Sequence, residues 1–343
     1  MSEPSPSAPH RRRPRYSGKN PRKFAEKYKE LDPERYPETV ARVLASGKTP
    51  AGMHVPIMVH EVLEALALKP GNIVVDGTLG YGGHAREILK GIAPNGRLLA
   101  LDVDPIELPR TEARLRGLGF DSHILTVHRS NFAGLPAILA AEGLTGVDGI
   151  FLDLGVSSMQ IDTPERGFSV KTVGPLDMRM NPNRGRPASA LLAEISADDL
   201  ESILREHADE PQAHHLGVSL AGREFARTNH LADAIREALP RLSLDEMAKT
   251  TRRVFQALRI EVNEEFTALE MFLRHARECL NPGGRIVILT FHSGEDRRVK
   301  KRFQSGFREG EFSKVCDQIT RASAAECRLN PRATSAKLRW AER

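Results

Sequence analysis

Residues Ile73-Val74-Val75-Asp76-Gly77-Thr78-Leu79-Gly80-Tyr81-Gly82-Gly83-His84 run from a short β-branched strand through a glycine loop into the start of a helix. The next strand, Leu98-Leu99-Ala100-Leu101, closes on a second acid, Asp102. Such a unit suits a nucleoside, because glycines let the backbone approach the ligand and the carboxylate accepts from ribose hydroxyls. Gly80-Tyr81-Gly82-Gly83-His84-Ala85 also fits the G-x-G-x-x-G/A dinucleotide pattern, with Asp102 20 residues past Gly82. Asp76 separates the two ligands. It completes Asp-x-x-x-Gly-x-Gly, and a carboxylate at that point repels a pyrophosphate but attracts the ammonium and sulfonium of S-adenosylmethionine. That cofactor is preferred over NAD, with a purely structural glycine turn as the third reading.

The chain has 343 residues, of which 40% are hydrophobic, enough for roughly two domains with a real core. No apolar run reaches the ~18–20 residues of a membrane span. The Pro-, Ser- and Arg-rich start lacks the apolar stretch of a secretory signal. Cys279, Cys316 and Cys327 are odd in number and form no C-x-x-C pair, which suits a reducing cytoplasm. The net charge of +5 is uneven: residues 1–50 carry 12 Lys/Arg against 6 Asp/Glu, and the remainder 38 against 39. A basic extension of this kind either contacts phosphate backbone without reading sequence or simply solubilises as a disordered segment.

Folding is expected to begin near His54. Val59, Val62, Leu63 and Leu66 recur at helical spacing and stop at Lys69-Pro70-Gly71. Helices are expected at about 84–90, 106–118 and 134–142, with further strands at 124–127 and 149–152. This alternation predicts a parallel sheet covered on both faces. The rhythm stops after about residue 160 and returns with the strand Arg285 to Thr290. Between them lie a helical insertion, in which Ser196 and Ser243 are candidate N-caps, and a long helix expected from Thr251 to Leu280. The predicted domains are a basic extension (1–50), one α/β domain built from 51–161 and 250–343, and an inserted helical substrate domain (162–249).

Ligands of open parallel sheets bind outside the carboxyl ends of the strands, where Asp76 to Gly83, Asp102, Asp153 to Ser158 and Phe291-His292-Ser293 converge. Asp153 follows the fourth strand and is a candidate to orient a methyl acceptor and take its proton, or to bind cofactor; capping a turn is the competing reading.

At this point a resemblance becomes specific. Asp76-Gly77-Thr78 with Gly80 and Gly82-Gly83-His84, Asp102 with Asp104-Pro105, Leu152-Asp153-Leu154-Gly155-Val156-Ser157-Ser158 with Gln160, Glu165-Arg166-Gly167-Phe168-Ser169, Gly174 to Met180, Phe255-Gln256-Ala257, Phe291-His292-Ser293 and Asn330-Pro331-Arg332 stand in order. Over residues 54–343 the chain resembles the bacterial 16S ribosomal RNA cytosine-N4 methyltransferase family. The resemblance implies an α/β class I (Rossmann-like) methyltransferase sheet with an inserted all-helical domain. It also implies methyl transfer from S-adenosyl-L-methionine to a cytidine N4 in the decoding region of the small ribosomal subunit. By it, cofactor contacts fall to Gly82, Gly83, His84, Asp102, Phe132, Asp153 and Gln160, joined by Asp76 and Gly80 from the loop pattern. Ser157 and Ser158 join Asp153 as acceptors for the amine proton, with the base flipped into the pocket.

Substrate candidates follow. Arg252, Gln256, Arg259 and Asn263 share one helical stripe suited to phosphate and base edges, although a solvated face is the ordinary explanation. Asp177 and His292 are possible proton acceptors or orienters, Arg179 lies in the same matched motif as Asp177, and Phe168 or Phe291 is the expected stacking aromatic. The adjacent His214-His215 lack a third ligand and sulfonium chemistry needs no metal, so none is expected. Two departures stand out. His207-Ala208-Asp209-Glu210-Pro211 replaces the family's aromatic-containing stretch, which leaves the following helix in doubt. Gly294 replaces a usual Leu, which suggests a more mobile loop.

Overall fold

The computed structural model describes residues 56–343. The basic extension and His54 lie outside the described residues, as does the side chain of Ser158. The first helix, α1 (Val59–Leu66), leads to β1 (Ile73–Asp76), whose Val74 and Val75 are buried. There follow α2 (Gly83–Ile92), β2 (Arg97–Asp102), α3 (Glu107–Gly117), β3 (Leu125–Arg129), α4 (Leu135–Ala141) and β4 (Val147–Asp153). A short α5 (Ser158–Asp162) and the helices α6 (Ala188–Glu194), α7 (Ala197–Ala208), α8 (Ala213–Leu220) and α9 (Thr228–Ala238) come next. The chain continues through α10 (Leu244–Val262), α11 (Glu265–His275), β5 (Leu280–Thr290), α12 (Ser293–Arg308), β6 (Lys314–Val315), α13 (Ala324–Leu329) and β7 (Lys337–Glu342).

The seven strands are ordered β3-β2-β1-β4-β5-β7-β6. Strands β1 to β5 are mutually parallel, but β7 runs antiparallel between β5 and β6, so the sheet is mixed rather than parallel throughout. The chain leaves β1 for β2 and β3 on one side and returns to β4 on the other. That reversal opens a crevice at the carboxyl ends of β1 and β4. Register places Asp76 opposite Ala100 and Phe151, so Asp76, Asp102 and Asp153 end neighbouring strands at the same edge.

Alternation along the strands fills both faces. Leu99, Leu101, Leu152 and Ile288 pack with α4, α11 and α12, while Val74, Leu98, Ala100 and Phe151 pack with α1, α2 and α3. A third core lies among α6 to α10, with Leu192, Leu200, Leu204, Leu216, Leu231, Ile235, Val254 and Leu258 at its centre. The described residues 56–343 nevertheless belong to a single compact unit.

Two expectations change. The long helix begins at Leu244, under a full Ser243–Glu246 capping box, and ends at Val262 rather than running from 251 to 280. Its break is Asn263 and Glu264, the latter at φ 51°, after which α11 starts afresh. Val254 to Leu258 belong to the helical core, so the boundary expected at 249 falls inside one continuous helix. Asn281 to Gly284, which follow the expected end of that helix, lie within β5, where its register with β4 shifts between Val147 and Gly149.

Candidate functional site

One cavity of about 400 Å³ opens at the carboxyl ends of β1, β2 and β4. Its floor on one side is the glycine loop. Gly80 and Gly82 both have positive φ, at 48° and 76°, and a Cβ on Gly82 would stand 2.8 Å from Thr111 Cγ2. Glycine there lets the loop sink against α3, which fixes it through Thr111 Oγ1 donating to the Gly80 carbonyl at 2.6 Å.

The loop and the second acid hold each other. Gly80 N–H donates to Asp102 Oδ2 at 2.7 Å, and Asp104 N–H donates to Oδ1 at 2.9 Å. Burial pushes the Asp102 carboxyl up, against these backbone hydrogen bonds that pull it down. Each oxygen keeps a further lone pair, so a carboxylate oriented in this way can accept from a pair of ribose hydroxyls. Phe132 lines the same side, its ring edge-on to Phe272 with centroids 5.8 Å apart, and leaves an apolar wall against which a base can stack.

Of the expected cofactor residues, Gly80, Gly82, Gly83, His84, Asp102, Phe132, Asp153 and Gln160 line the cavity. Asp76 does not. Its side chain is buried beneath the floor, where Oδ1 accepts from Thr78 N–H at 3.1 Å. Burial, with Asp102 nearby, pushes its carboxyl up to about 7 against the Thr78 hydrogen bonds. Asp76 therefore shapes the loop and the local field from below the cavity. Gln160 lines the wall, but its amide is already engaged: Oε1 accepts from Ser157 N–H and Nε2 donates to Asp104. Sequence reasoning left several acids out of the site, among them Asp104. It also lines the cavity, and it receives the buried Arg166 guanidinium at 2.8 Å. The signal available was the Asp102-x-Asp104-Pro105 spacing.

Asp153 ends β4 beside this pocket. Its N–H donates to Thr78 Oγ1 at 2.7 Å, but among the described residues no donor lies on either carboxylate oxygen. Burial, then the charges of Asp76 and Glu295, push the carboxyl up to about 7. Ser157 is adjacent on the wall; its Oγ accepts from Gln160 N–H at 3.2 Å and keeps its own proton to donate.

The opposite wall carries Gln256, Arg259, Asn263, Phe291 and His292, as expected, together with Met180, Glu265 and Glu295. Most of its polar groups already have partners. Arg259 makes a two-pronged bond to Glu265 at 2.8 and 2.9 Å, Gln256 donates to the His207 carbonyl, and Asn263 clamps Met178 and Met180. His292 Nε2 lies 3.1 Å from Glu295 Oε1. Burial pushes the Glu295 carboxyl up, but His292, the Phe291 N–H and Arg259 outweigh it and hold it below the usual range.

Phe168, Asp177, Arg179 and Arg252 are not brought to the cavity. Phe168 packs on the helical core, Asp177 and Arg179 form a close ion pair with each other at 2.7 Å, and Arg252 is exposed on the same stripe but seven residues before Arg259, short of the cavity. The two adjacent histidines also diverge, His214 to Glu201 and His215 to the Ala238 carbonyl.

The two departures have local explanations. Asp209, at φ 49°, ends α7 and accepts from Ser293 and Arg297, while the buried Glu210 accepts from Thr250; α8 forms regardless. Gly294 is buried in the first turn of α12, where a Cβ would stand 2.5 Å from Phe266 Cζ, so it marks close packing rather than a loose loop.

Six carboxylates line the cavity (Asp102, Asp104, Glu107, Asp153, Glu265 and Glu295) against two guanidiniums, Arg259 and Arg332, both already paired. Such a surface repels a pyrophosphate and fits a ligand with cationic groups and a nucleoside. Residues 51–343 match the MraW methylase family. The chain belongs to that family. It is 48% identical to "Ribosomal RNA small subunit methyltransferase H 1" of Lachnoclostridium phytofermentans, over 97% of this chain and 93% of that one. It is 50% identical to "Ribosomal RNA small subunit methyltransferase H 2" of Alkaliphilus metalliredigens, over 96% and 97%. Coverage of 97% necessarily reaches well into the residues before 51, so this methylase shares most of its N-terminal segment with such relatives. A solved SAM-dependent methyltransferase from Aquifex aeolicus aligns at a TM-score of 0.38 and 12% identity over 87% of this chain and 96% of that one. At that distance the fold assignment of the methylase rests on its own strand order.

Proposed function

We propose that the protein transfers a methyl group from S-adenosyl-L-methionine to the exocyclic N4 of a cytidine in 16S ribosomal RNA, in the decoding region of the small subunit, as a cytoplasmic enzyme. Membership of the methylase family and the names of its relatives support the reaction and the ribosomal RNA. The observation that carries the chemistry is the open carboxylate of Asp153, at the end of β4 and between the ribose-type acid Asp102 and the paired wall of α10 to α12. No helix among the described residues is long and apolar enough to cross a membrane.

Bound in this cavity, S-adenosylmethionine supplies an electrophilic methyl on a cationic sulfur. The rest falls to the chain. Asp102 accepts the ribose hydroxyls, and Phe132 offers its face to the adenine. The cytosine amine is a weak nucleophile because its lone pair is delocalised into the ring. A carboxylate accepting its N–H favours a pyramidal nitrogen, and as the N–C bond forms and the S–C pair returns to sulfur, the N4 proton passes to Asp153. Ser157 lies beside it to hold the base, and Phe291 is the aromatic available on the acceptor side.

The test is to incubate the purified protein and labelled cofactor with small subunits from cells lacking the enzyme, then map the label. Label at one cytidine N4 of 16S RNA is the expected result. Label on another atom, or none with folded protein and intact subunits, overturns the proposal.

A further inference from the structure

His84 was expected to touch the cofactor, yet its ring is engaged elsewhere. It lies in the first turn of α2, buried, tilted at 53° against Phe151 with ring centroids 4.6 Å apart. Nε2 stands 2.9 Å from the Ile57 carbonyl oxygen. A carbonyl can only accept, so Nε2 carries the hydrogen. Burial keeps the ring neutral, pushing its pKa down to about 4 against the Ile57 hydrogen bond. A neutral imidazole has one N–H, and Nδ1 is therefore a bare lone pair. That lone pair faces Asp153 Oδ2 at 3.6 Å.

Two acceptors pointed at each other repel while Asp153 is ionised and attract once it holds a proton. The 3.6 Å gap is too long for a hydrogen bond and short enough for one carboxyl rotation to close. The other charged groups around Asp153 act in the same direction. Asp76 faces it from β1 and Glu295 from α12, both acids, and the Arg259 guanidinium of α10 is bound to Glu265. We infer that His84 is a positioning residue for methyl transfer: its Nδ1 accepts a hydrogen bond from the Asp153 O–H formed when Asp153 takes the proton of the attacking amine, while its Nε2–H ties that arrangement to the Pro56–Ile57 segment lining the cavity. In the step, the N4–CH3 bond forms and the S–CH3 bond breaks with its pair on sulfur. The N4 proton becomes the Asp153 O–H, hydrogen-bonded to Nδ1, and His84 itself is never protonated.

This rests on the reading of Asp153 as the proton acceptor, and two isosteric variants separate the claims. His84→Gln keeps a donor at the ε position for Ile57 and loses the δ acceptor; His84→Asn keeps an acceptor at the δ position and loses the ε donor. Single-turnover methyl transfer to small subunits at saturating cofactor is followed across pH around neutrality. His84→Gln is expected to move the ionisation limb to lower pH by about 0.5–1 unit and to lower the plateau by roughly 10-fold, whereas His84→Asn leaves the limb in place. Independently of turnover, nitrogen-15 NMR of histidine in the cofactor-free protein should report His84 as the Nε2–H tautomer. Its Nδ1 shift should follow a titration near pH 7 that disappears in Asp153→Asn. Limbs at one pH in both His84 variants, or an Nδ1–H tautomer, overturn the inference. If Asp153→Asn abolishes the limb while His84→Gln retains it, the inference alone falls. If Asp153→Asn keeps the wild-type rate and limb, the reading of Asp153 fails and takes the inference with it.

Discussion

The two walls of the cavity are built from similar residue types and behave oppositely. On the β1–β2–β4 side, the acids meet the ligand space with lone pairs in reserve: among the described residues Asp102 accepts only backbone N–H groups and the Asp153 carboxylate accepts no hydrogen bond. On the α10–α12 side most polar groups that reach the cavity are bound to a neighbour, Arg259 to Glu265, Asn263 to Met178 and Met180, and Gln256 to His207, while His292 stands at ion-pair distance from Glu295. The first wall is prepared for a cationic nucleoside; the second is a rigid frame that shapes the acceptor space without offering free charges. A polar residue lining a pocket is thus not by itself a ligand contact, and its existing partners decide which it is.

The largest effect should come from breaking the frame. Arg259→Ala leaves Glu265 and Glu295 buried without their cation and should destabilise the fold by roughly 3–5 kcal/mol in denaturant unfolding. The double variant Arg259→Met/Glu265→Leu should recover much of that loss. An Arg259→Ala protein of wild-type stability that is impaired only in RNA binding would restore Arg259 as a free phosphate contact and dissolve the contrast between the walls.

Asp76→Asn probes the field below the floor. Burial pushes this carboxyl up to about 7 from the ordinary 3.8 of a free aspartate, which stands for the unfolded chain. Between those values the folded state binds a proton that the unfolded state does not, so stability falls as pH rises through the window and the cost is complete above it. The amide should therefore stabilise the cofactor-free protein above about pH 7, on the order of 2–4 kcal/mol, and make no difference below about pH 4. Equal unfolding midpoints for both proteins in alkaline buffer would show that Asp76 is not held in a charge-hostile site.

Asp102→Ala should weaken S-adenosylmethionine binding by about 1.5–3 kcal/mol, read by calorimetric titration, with the fold retained. Unchanged affinity would remove the ribose role. The smallest effect is expected from deleting residues 1–50, with their surplus of 6 positive charges. Cofactor affinity should hold, while small-subunit affinity falls most at low salt and its log–log salt slope becomes shallower. Coincident slopes would leave the segment without an RNA contact.

How much of this was legible in the sequence follows the same division. The cofactor wall is encoded locally: β-branched residues, glycines at fixed offsets and an acid at each strand tip place Gly80, Gly82 and Asp102 without knowledge of distant residues. The frame is encoded by partners far apart in sequence, such as Asn263 with Met178 and Met180 or Arg166 with Asp104. A helical stripe of Arg252, Gln256, Arg259 and Asn263 reads as a nucleic-acid face because periodicity reports which side a residue is on, and not what already bonds to it. The antiparallel β7 escaped for a similar reason: the direction and place of Lys337 to Glu342 are defined by its pairing with β5. Gly294 was misread because a close approach by Phe266, 28 residues earlier, is invisible to local rules.

The central claim is that Asp153 is left open to receive the amine proton and is not merely a cofactor ligand. Its most direct test is Asp153→Asn in single-turnover methyl transfer to small subunits at saturating S-adenosylmethionine, with cofactor affinity measured in parallel. The expected result is a rate lower by about 100-fold or more, with affinity changed far less. A wild-type rate, or a loss wholly accounted for by cofactor occupancy, would contradict it.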